Sequence, residues 1–374
     1  MFIVGDYKPR EGLSVPLLTA LDARGEVDEE SQRRLVRHAV SGGFGADILF
    51  GMGTNGEWNR LERRRRARAM AVQADEVTRV NALLRGDGHR TVELWLGISS
   101  SRRAEVVEQL RDACRFGAHA VVLAPLAVAD MGDAVAFLRE EVREEMDRLG
   151  RHVPLFLYDN VDLSVDPRVP HIRTRDLKKM SRIDFVRGIK VTASRKVMGN
   201  YTRAARQFNL MGSFGIYLGN PQVAFDFFDP DRAGVRRWIE RVLFHYALPV
   251  GFVSGYANLW PREWQDAWLS CRHAHRERML HYQRAFERFR ALCEFTGARK
   301  TIACMKVLLS DRGILGSGAV AEGTPSLSAE ETKRFLAVAG SFERDLQAPI
   351  PERWRTPFAP VASAAPIQVE KAPA

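Results

Sequence analysis

A lysine lies inside a short, largely apolar segment of the chain. Lys190 belongs to Phe185–Val191, a short run of the kind that forms a buried strand. Lysine is seldom buried without a reason. An apolar environment favours the neutral amine over the ammonium, and the neutral amine is the form that attacks a ketone to give an imine. Lys190 is therefore a candidate nucleophile; the alternatives are a lysine that extends to solvent from a strand end and a lysine paired with an acid.

Two further candidate groups lie at the ends of apolar runs. Tyr158 closes the run Pro154–Tyr158, and a phenol there can transfer protons while an imine forms and a carbon–carbon bond breaks. The Gly-rich turn Gly53–Glu57 contributes the Thr54 hydroxyl, the Asn55 amide and backbone N–H groups, which suit a carboxylate. Taken alone, the tyrosine also fits a core aromatic, and the turn fits an ordinary strand-to-helix connection.

The elements that must position these groups alternate between two periodicities, and this predicts an α/β fold, a (β/α)8 barrel with a C-terminal helical appendage. The predicted strands are Leu13–Ala20, Ala46–Phe50, Val92–Ile98, Ala120–Pro125, Pro154–Tyr158, Phe185–Val191, Phe208–Gly212 and Pro249–Ser254. The clearest predicted helices between them are Glu29–Gly42, Leu61–Leu84, Arg102–Gly117, Met131–Leu149 and Thr174–Ser181. Because barrel enzymes place their chemistry at the C-terminal ends of strands, the candidate groups should meet there. No Gly-x-Gly-x-x-Gly follows the first strand, which disfavours a dinucleotide-binding fold.

The chain is longer than a simple barrel needs. We predict a barrel over residues 1–262, a helical extension over 263–346 and a disordered or wrapping tail over 347–374. The segment Tyr217–Leu248 is interpreted as an enlarged seventh helix or an insertion, with a helical stretch before the last strand. The predicted helices after the barrel are Pro261–Phe289, Arg299–Asp311 and Ser328–Leu346, the last with a Ser328 N-cap and Glu331 three residues on.

Composition narrows the class of protein. The chain has 374 residues, of which 45% are hydrophobic and 27% charged, as in ordinary globular proteins. We predict no membrane span, because no apolar run reaches about 18 residues, and no secretory signal, because the N-terminus lacks a charged region followed by a long apolar stretch. Four scattered cysteines disfavour a zinc site or a disulfide framework and favour a cytoplasmic location. The net charge is +10, but the arginines are spread along helical stretches without interleaved aromatics, so we predict no nucleic-acid binding.

Together the motifs resemble the dihydrodipicolinate synthase and N-acetylneuraminate lyase family over roughly residues 13–262. The family's Gly-[Thr/Ser]-Thr-Gly-Glu signature is similar to Gly53–Glu57. Its Tyr-Asn pair is similar to Tyr158-Asp159, and its Gly-Ile-Lys to Gly188–Lys190. Its late Gly-x-x-Ser-x-x-Ala-Asn is similar to Gly251–Asn258. The order of these motifs along the chain carries the resemblance.

The resemblance implies a class I lyase or aldolase. Its lysine forms an imine with a 2-oxo acid, usually pyruvate, and the resulting enamine adds to an aldehyde; cleavage runs the same path backwards. No metal or organic cofactor is implied, since the imine is the electron sink. A homo-oligomer, tetramer or dimer, is implied as well. The implied catalytic residues are Lys190 and Tyr158, and the implied substrate-binding residues are Gly53, Thr54, Asn55, Thr192, Val253 and Ser254.

Several positions depart from the family pattern. Asn55 replaces the second threonine of the signature, and Pro125–Ala127 lacks the tyrosine that many members contribute to a neighbouring subunit. Leu163 stands where dihydrodipicolinate synthases carry an arginine for a dicarboxylic substrate, which argues against that activity. The Leu163-Ser164 pair and Thr192 are closer to the lyases of sugar acids. The alternatives are a dehydratase or hydratase that uses the same imine, and an inactive relative that serves as a binding protein.

Overall fold

A computed structural model of the chain describes residues 6–228, 248–295 and 298–346. Eight parallel strands pair in sequence order, and the last pairs with the first to close a barrel. The predicted (β/α)8 fold is therefore confirmed, and helices follow the last strand. The strands are β1 (Gly12–Pro16), β2 (Ile48–Gly51), β3 (Glu93–Gly97), β4 (Ala120–Leu123), β5 (Leu155–Asn160), β6 (Val186–Thr192), β7 (Gly215–Leu218) and β8 (Gly251–Val253).

Helices cover the outside of the barrel and continue beyond it. Those that follow β1 to β7 are α1 (Glu29–Val40), α2 (Arg63–Gly86), α3 (Arg103–Phe116), α4 (Ala134–Phe137, continued by the π-helical Leu138–Val142 and by Arg143–Arg148), α5 (Thr174–Met180), α6 (Arg195–Phe208) and α7 (Pro221–Phe228). Those after β8 are α8 (Pro261–Arg272), α9 (Arg276–Leu292), α10 (Thr301–Asp311) and α11 (Ala329–Leu346). A two-stranded hairpin, Glu294–Phe295 with Ala298–Arg299, separates α9 from α10.

The seventh strand was predicted at the wrong place. The prediction was Phe208–Gly212, whereas β7 is Gly215–Leu218. Phe208 is the last residue of α6 and is fully buried, while Leu210 and Met211 are 62% and 46% exposed. The apolar residues at this point belong to the end of an amphipathic helix and to a 3₁₀ turn. They resemble a strand in composition but do not form one.

The helical extension differs from the prediction in one place and agrees in another. The predicted helix Pro261–Phe289 is two helices, because Ala274 adopts a left-handed conformation with φ 53° between α8 and α9. The predicted capping box at the start of α11 is confirmed: Glu331 N donates to Ser328 Oγ at 3.2 Å, and Ser328 N donates to the Glu331 carboxylate at 2.7 Å. The helical stretch predicted before β8 and the tail lie outside the described residues. The division into a barrel and an extension at residue 262 stays a prediction.

An arginine explains how the chain reaches β7. Arg187 lies on the outer face of β6, is fully buried, and donates to three backbone carbonyls: Asp184 O at 3.0 Å, Met211 O at 2.8 Å and Ser213 O at 2.6 Å. Burial lowers the pKa of its guanidinium, with the charge of Asp184 opposing that shift. Arg187 therefore fixes the loop that delivers β7 next to β6.

We expect Arg187→Met to lower the free energy of unfolding by about 2–4 kcal/mol, because it leaves buried carbonyl groups without a donor. Urea denaturation followed by circular dichroism measures this. The control is Arg175→Met on α5, whose side chain is 71% exposed, and it should shift stability by less than about 0.5 kcal/mol. Equal urea midpoints for the two variants would contradict this role for Arg187.

Within the described ranges, no helix is both long enough and apolar enough to cross a membrane.

Candidate active site

Lys190 lies on the inner face of β6, near the C-terminal end of the strand. It is in register with Tyr158 on β5 and with Tyr217 on β7. The side chain is buried, and its Nζ lies 3.9 Å from the centroid of the Tyr158 ring and 5.0 Å from that of Phe50. The amine thus sits between two aromatic faces that shield it from bulk water.

The phenol of Tyr158 connects Lys190 to the Gly-rich turn. Its oxygen is 3.3 Å from Thr54 Oγ1 and accepts from Asn160 Nδ2 at 3.3 Å. It also lies within hydrogen-bonding reach of Thr192 and Lys190. Burial raises the pKa of Tyr158, but the positive charge of Lys190 and these hydrogen bonds outweigh burial, so the net pKa is lower than usual. A phenol held in this way can give up a proton and recover it.

Aromatic rings close the barrel on the other side of Lys190. Phe156 lies on the same face of β5 as Tyr158, two residues earlier, and stacks on Trp95 with centroids 3.9 Å apart. Tyr217 packs against both rings edge-on, at 5.0 and 5.6 Å. Gly188 of the Gly-Ile-Lys motif leaves room for this layer, since a Cβ there would lie 2.5 Å from the Phe156 ring. Access to Lys190 is therefore from the C-terminal mouth of the barrel.

The end of β5 is held from the outside by Asp159. Its side chain points away from the barrel interior, accepts from Tyr201 Oη at 2.9 Å and from Ile172 N at 3.2 Å, and contacts His171 Nδ1 at 3.1 Å. Burial raises the pKa of the Asp159 carboxyl, and the Tyr201 hydrogen bond opposes that shift. This network fixes the strand whose inner face presents Tyr158.

The Gly-rich turn has an unusual backbone. Residues Thr54–Gly56 form a single 3₁₀ turn, in which Gly56 N donates to Gly53 O at 2.9 Å and Glu57 N to Thr54 O at 3.1 Å. Met52 and Glu57 lie on either side of the turn and have φ values of 55° and 56°. Residues other than glycine seldom adopt this left-handed backbone conformation. Such strain persists only where surrounding contacts fix it, and it concentrates at functional sites.

Asn55 brings the turn next to the end of β8. Its Nδ2 is buried and has no hydrogen-bond partner among the described residues, so it is a donor available to a ligand. Gly255 permits the approach, because a Cβ there would lie 2.3 Å from Nδ2. Ser254 is likewise buried, and within the described ranges its hydroxyl has no partner.

The structure brings most of the predicted site residues together. Thr54 and Lys190 contact Tyr158 directly, and Thr192 lies close enough to lower the pKa of the Tyr158 phenol. Gly53 packs against the Phe50 ring that faces Lys190, and a Cβ on it would lie 2.7 Å from that ring.

Val253 and Ser254 are less directly placed. Both are buried at the end of β8, and their connection to the site runs through Gly255 and Asn55 rather than through a hydrogen bond to Lys190 in the described part of the chain.

The sequence reading missed three contributors. Asn160 hydrogen-bonds to Tyr158 and lies on the same face of β5, two residues on, so the strand's alternation was the available signal. Gly219 follows β7 and makes room for the site, since a Cβ there would lie 2.2 Å from Thr192 Oγ1 and 3.2 Å from Lys190 Cε. The third is the ion pair of Glu57 with Lys306, for which the signal was a lysine inside the apolar helical stretch of α10.

The departures from the family pattern have clear positions. Pro125–Ala127 form a short 3₁₀ helix, and Leu126 packs on the core and accepts from Val165 N at 2.9 Å. Leu163 ends another 3₁₀ helix after β5. Ser164 uses its hydroxyl within its own loop, donating to Asp166 O and Val169 O at 2.9 and 2.8 Å.

Across the described ranges, no group of three or more His, Cys, Asp or Glu side chains could hold a metal ion.

Comparison with known proteins places this geometry in context. Residues 9–93 match the Dihydrodipicolinate synthetase family. A curated 4-hydroxy-tetrahydrodipicolinate synthase of Porphyromonas gingivalis is 34% identical over 88 residues, a match that covers 24% of this chain and 29% of that protein. The family match over residues 9–93 includes the Gly-rich turn but ends before β5 and β6, so it does not reach Tyr158 or Lys190.

Solved structures extend the comparison to the whole barrel. Dihydrodipicolinate synthase from Bacteroides thetaiotaomicron superposes with a TM-score of 0.69 at 20% identity, covering 90% of this chain and 99% of that one. N-acetylneuraminate lyase from Fusobacterium nucleatum, solved with pyruvate, gives 0.67 at 13% identity, with coverage of 90% and 99%. The predicted resemblance to this family is confirmed by sequence over residues 9–93, and the barrel as a whole shares the fold of these dihydrodipicolinate synthase and N-acetylneuraminate lyase structures.

Proposed function

We propose that the protein is a class I, Schiff-base-forming lyase or aldolase that acts on a 2-oxo acid. The observation that carries the proposal is the cluster at the mouth of the barrel. A buried lysine amine lies 3.9 Å from the ring of Tyr158, whose phenol contacts Thr54 on the Gly-rich turn. This arrangement supplies a nucleophile, a proton donor and a polar turn for a carboxylate within one small space.

The proposed chemistry uses these groups in order. The Lys190 amine adds to the ketone carbon of the 2-oxo acid, Tyr158 donates a proton to the carbonyl oxygen, and water leaves to give the imine. Loss of a proton from the adjacent carbon gives the enamine, which adds to an aldehyde; hydrolysis then frees the amine. In the cleavage direction the same enamine is left when the carbon–carbon bond of a hydroxy-oxo acid breaks.

Thr54 and Asn55 are proposed to bind the substrate carboxylate. The Nδ2 of Asn55, which has no partner among the described residues, provides a hydrogen-bond donor. A threonine at this position would place its hydroxyl donor at a different distance from the backbone. Because a buried donor without an acceptor is unfavourable, a carboxylate oxygen at this position is stabilised. Ser254, whose buried hydroxyl also has no partner among the described residues, is proposed to line the same end of the site.

The proposed substrate carries one carboxylate and hydroxyl groups rather than two carboxylates. Leu163 offers no charge to a second carboxylate, and this supports a sugar-acid-like hydroxy-oxo acid that releases pyruvate. Of the two hydroxyl residues typical of the sugar-acid lyases, Thr192 lies near Tyr158 in the site, whereas Ser164 is hydrogen-bonded within its own loop. The partners proposed are thus a 2-oxo acid and an aldehyde, and the assembly into a homo-oligomer stays a prediction.

Borohydride trapping tests the proposal. The protein is incubated with pyruvate and sodium borohydride, digested, and examined by mass spectrometry. We expect a reduced pyruvyl adduct on the peptide that contains Lys190, and none when borohydride or pyruvate is omitted. Absence of any adduct on Lys190, with pyruvate and with a panel of longer 2-oxo acids, would remove the enzymatic proposal and leave the binding-protein alternative. Aldehyde and sugar-acid screens by release of pyruvate then identify the second substrate.

A further inference from the structure

The last residue of the Gly-rich turn is tied to the other end of the chain. Glu57 is 1% exposed, and its carboxylate pairs with the ammonium of Lys306 on α10, which is 0% exposed. The two residues are 249 positions apart. An ion pair with both partners withdrawn from water is uncommon, because the cost of removing two charges from water must be offset by close contacts.

Those contacts are present on both sides of the pair. Lys306 Nζ also donates to the backbone carbonyl of Ala319 at 2.9 Å. The second oxygen of Glu57 accepts from the backbone amide of Ala321 at 2.8 Å. The loop between α10 and α11 therefore wraps the pair and contributes one acceptor and one donor. The helical extension thus contacts the Gly-rich turn through this ion pair and through the two backbone groups that bind it.

The backbone of Glu57 connects this pair to the residues proposed to bind substrate. Its amide closes the 3₁₀ turn by donating to Thr54 O at 3.1 Å, and its φ of 56° is strained for a residue with a side chain. A strained conformation persists when its surroundings over-determine it. The buried pair provides that constraint from outside the barrel, and the hydrogen bond of Thr19 Oγ1 to Gly56 O at 2.8 Å provides a second one from the segment that follows β1.

We infer that Glu57 and Lys306 are positioning residues, through which the C-terminal extension sets the place of Thr54 and Asn55 at the mouth of the barrel. The effect on substrate binding rests on the function proposed above; the effect on the turn does not. Neither residue touches the reacting atoms, so loss of the pair weakens binding of the 2-oxo acid while Lys190 and Tyr158 stay in place.

The test variant is the double substitution Glu57→Gln with Lys306→Met. It removes both charges, so no unpaired buried charge remains to unfold the protein. The matched control is Lys300→Met with Glu331→Gln. That pair joins the start of α10 to α11 at 2.8 Å and lies within the extension. Thermal unfolding of both variants establishes that each is folded before they are compared.

Hydrogen exchange measured by mass spectrometry is the first readout. We expect the peptide that covers residues 53–61 to exchange about tenfold faster or more in the test variant than in the wild type, because the turn opens more often. The peptide that covers β6 should exchange as before. The control variant should leave both peptides unchanged. Unchanged exchange of the turn in a folded test variant overturns the inference, whether or not the wild type forms an adduct with pyruvate.

The second readout is the pyruvate concentration that gives half-maximal borohydride adduct. We expect it to rise about tenfold or more in the test variant, because a small displacement of a positioning group is costly, with the maximal adduct on Lys190 preserved. An unchanged value beside a wild-type adduct overturns the role in binding and leaves the proposed function standing. If the wild type gives no adduct, the proposed function fails, and the exchange of the turn alone decides whether the pair positions it.

Discussion

Lys190→Met is expected to leave the barrel folded and to abolish both turnover and the pyruvate adduct. Methionine has a similar length and is apolar, so it fits between the rings of Tyr158 and Phe50. Without the amine no imine forms, and the path through the enamine is lost, which we expect to lower kcat/KM by about 10⁴-fold or more. Pyruvate release in a coupled assay and borohydride trapping measure the loss.

Lys190→Met also tests the electrostatic interaction between Lys190 and Tyr158. The charge of Lys190 and the hydrogen bonds to Tyr158 hold the pKa of the phenol below its usual value against the effect of burial. When that charge is removed, burial dominates and the pKa of Tyr158 rises. Absorbance of tyrosinate near 295 nm, followed against pH and compared with Tyr158→Phe, should show this phenol ionising at lower pH in the wild type than in Lys190→Met.

The control for Lys190 is an exposed lysine on the following helix. Lys196→Met on α6 changes a side chain at the protein surface, so it should retain the adduct, the turnover and the tyrosinate titration of the wild type. Retained turnover in Lys190→Met would show that the imine is not on the reaction path. Loss of turnover in Lys196→Met would show that the assay reports stability or assembly instead.

Tyr158→Phe is expected to lower kcat by about 10²–10⁴-fold, the usual contribution of a positioned proton donor. The ring remains beside the Lys190 amine, so the adduct still forms, although more slowly. In the wild type, activity that requires the protonated phenol falls as pH rises through its pKa, which is shifted downward. The alkaline limb of the pH–rate profile should therefore begin below the ordinary tyrosine range and disappear in Tyr158→Phe.

Tyr201→Phe is the matched control on the outer side of the same strand. Tyr201 donates to Asp159 at 2.9 Å and to Ile172 O at 2.5 Å, and burial raises its pKa. Its loss should lower the free energy of unfolding by about 1–3 kcal/mol, because the buried carboxylate loses a donor, while the pH–rate profile keeps its alkaline limb. Similar pH profiles for Tyr158→Phe and Tyr201→Phe would contradict a chemical role for Tyr158.

The parts of the fold that local pattern determines were predicted well. Seven strands were placed to within a few residues, because each is a short apolar run bounded by polar loops. Lys190 and Tyr158 became candidates because each is a polar side chain near the end of an apolar strand. The seventh strand was misplaced because Phe208, Leu210 and Met211 are apolar, as strand residues often are. The residues of α6 that precede them show that Phe208 completes the buried face of a helix.

The parts of the site that depend on closure of the barrel were not predictable in detail. The contact between Thr54 and Tyr158 joins residues 104 positions apart, and position after a strand indicated only that both lie at one end of the barrel. The space beside Lys190 depends on Gly219, which has no signal in its own segment. The pairing of Glu57 with Lys306 depends on how the extension folds back, and no local rule connects those segments.

That long-range pairing bears on how the protein is made. Residues 53–57 leave the ribosome early, but the lysine that holds their last member is synthesised 249 residues later. Contacts of such sequence separation form late in folding, because a long loop must close first. An unfinished chain can thus possess the Gly-rich turn and Lys190 without the ion pair that holds the turn, so the candidate site is complete only after Lys306 has been synthesised.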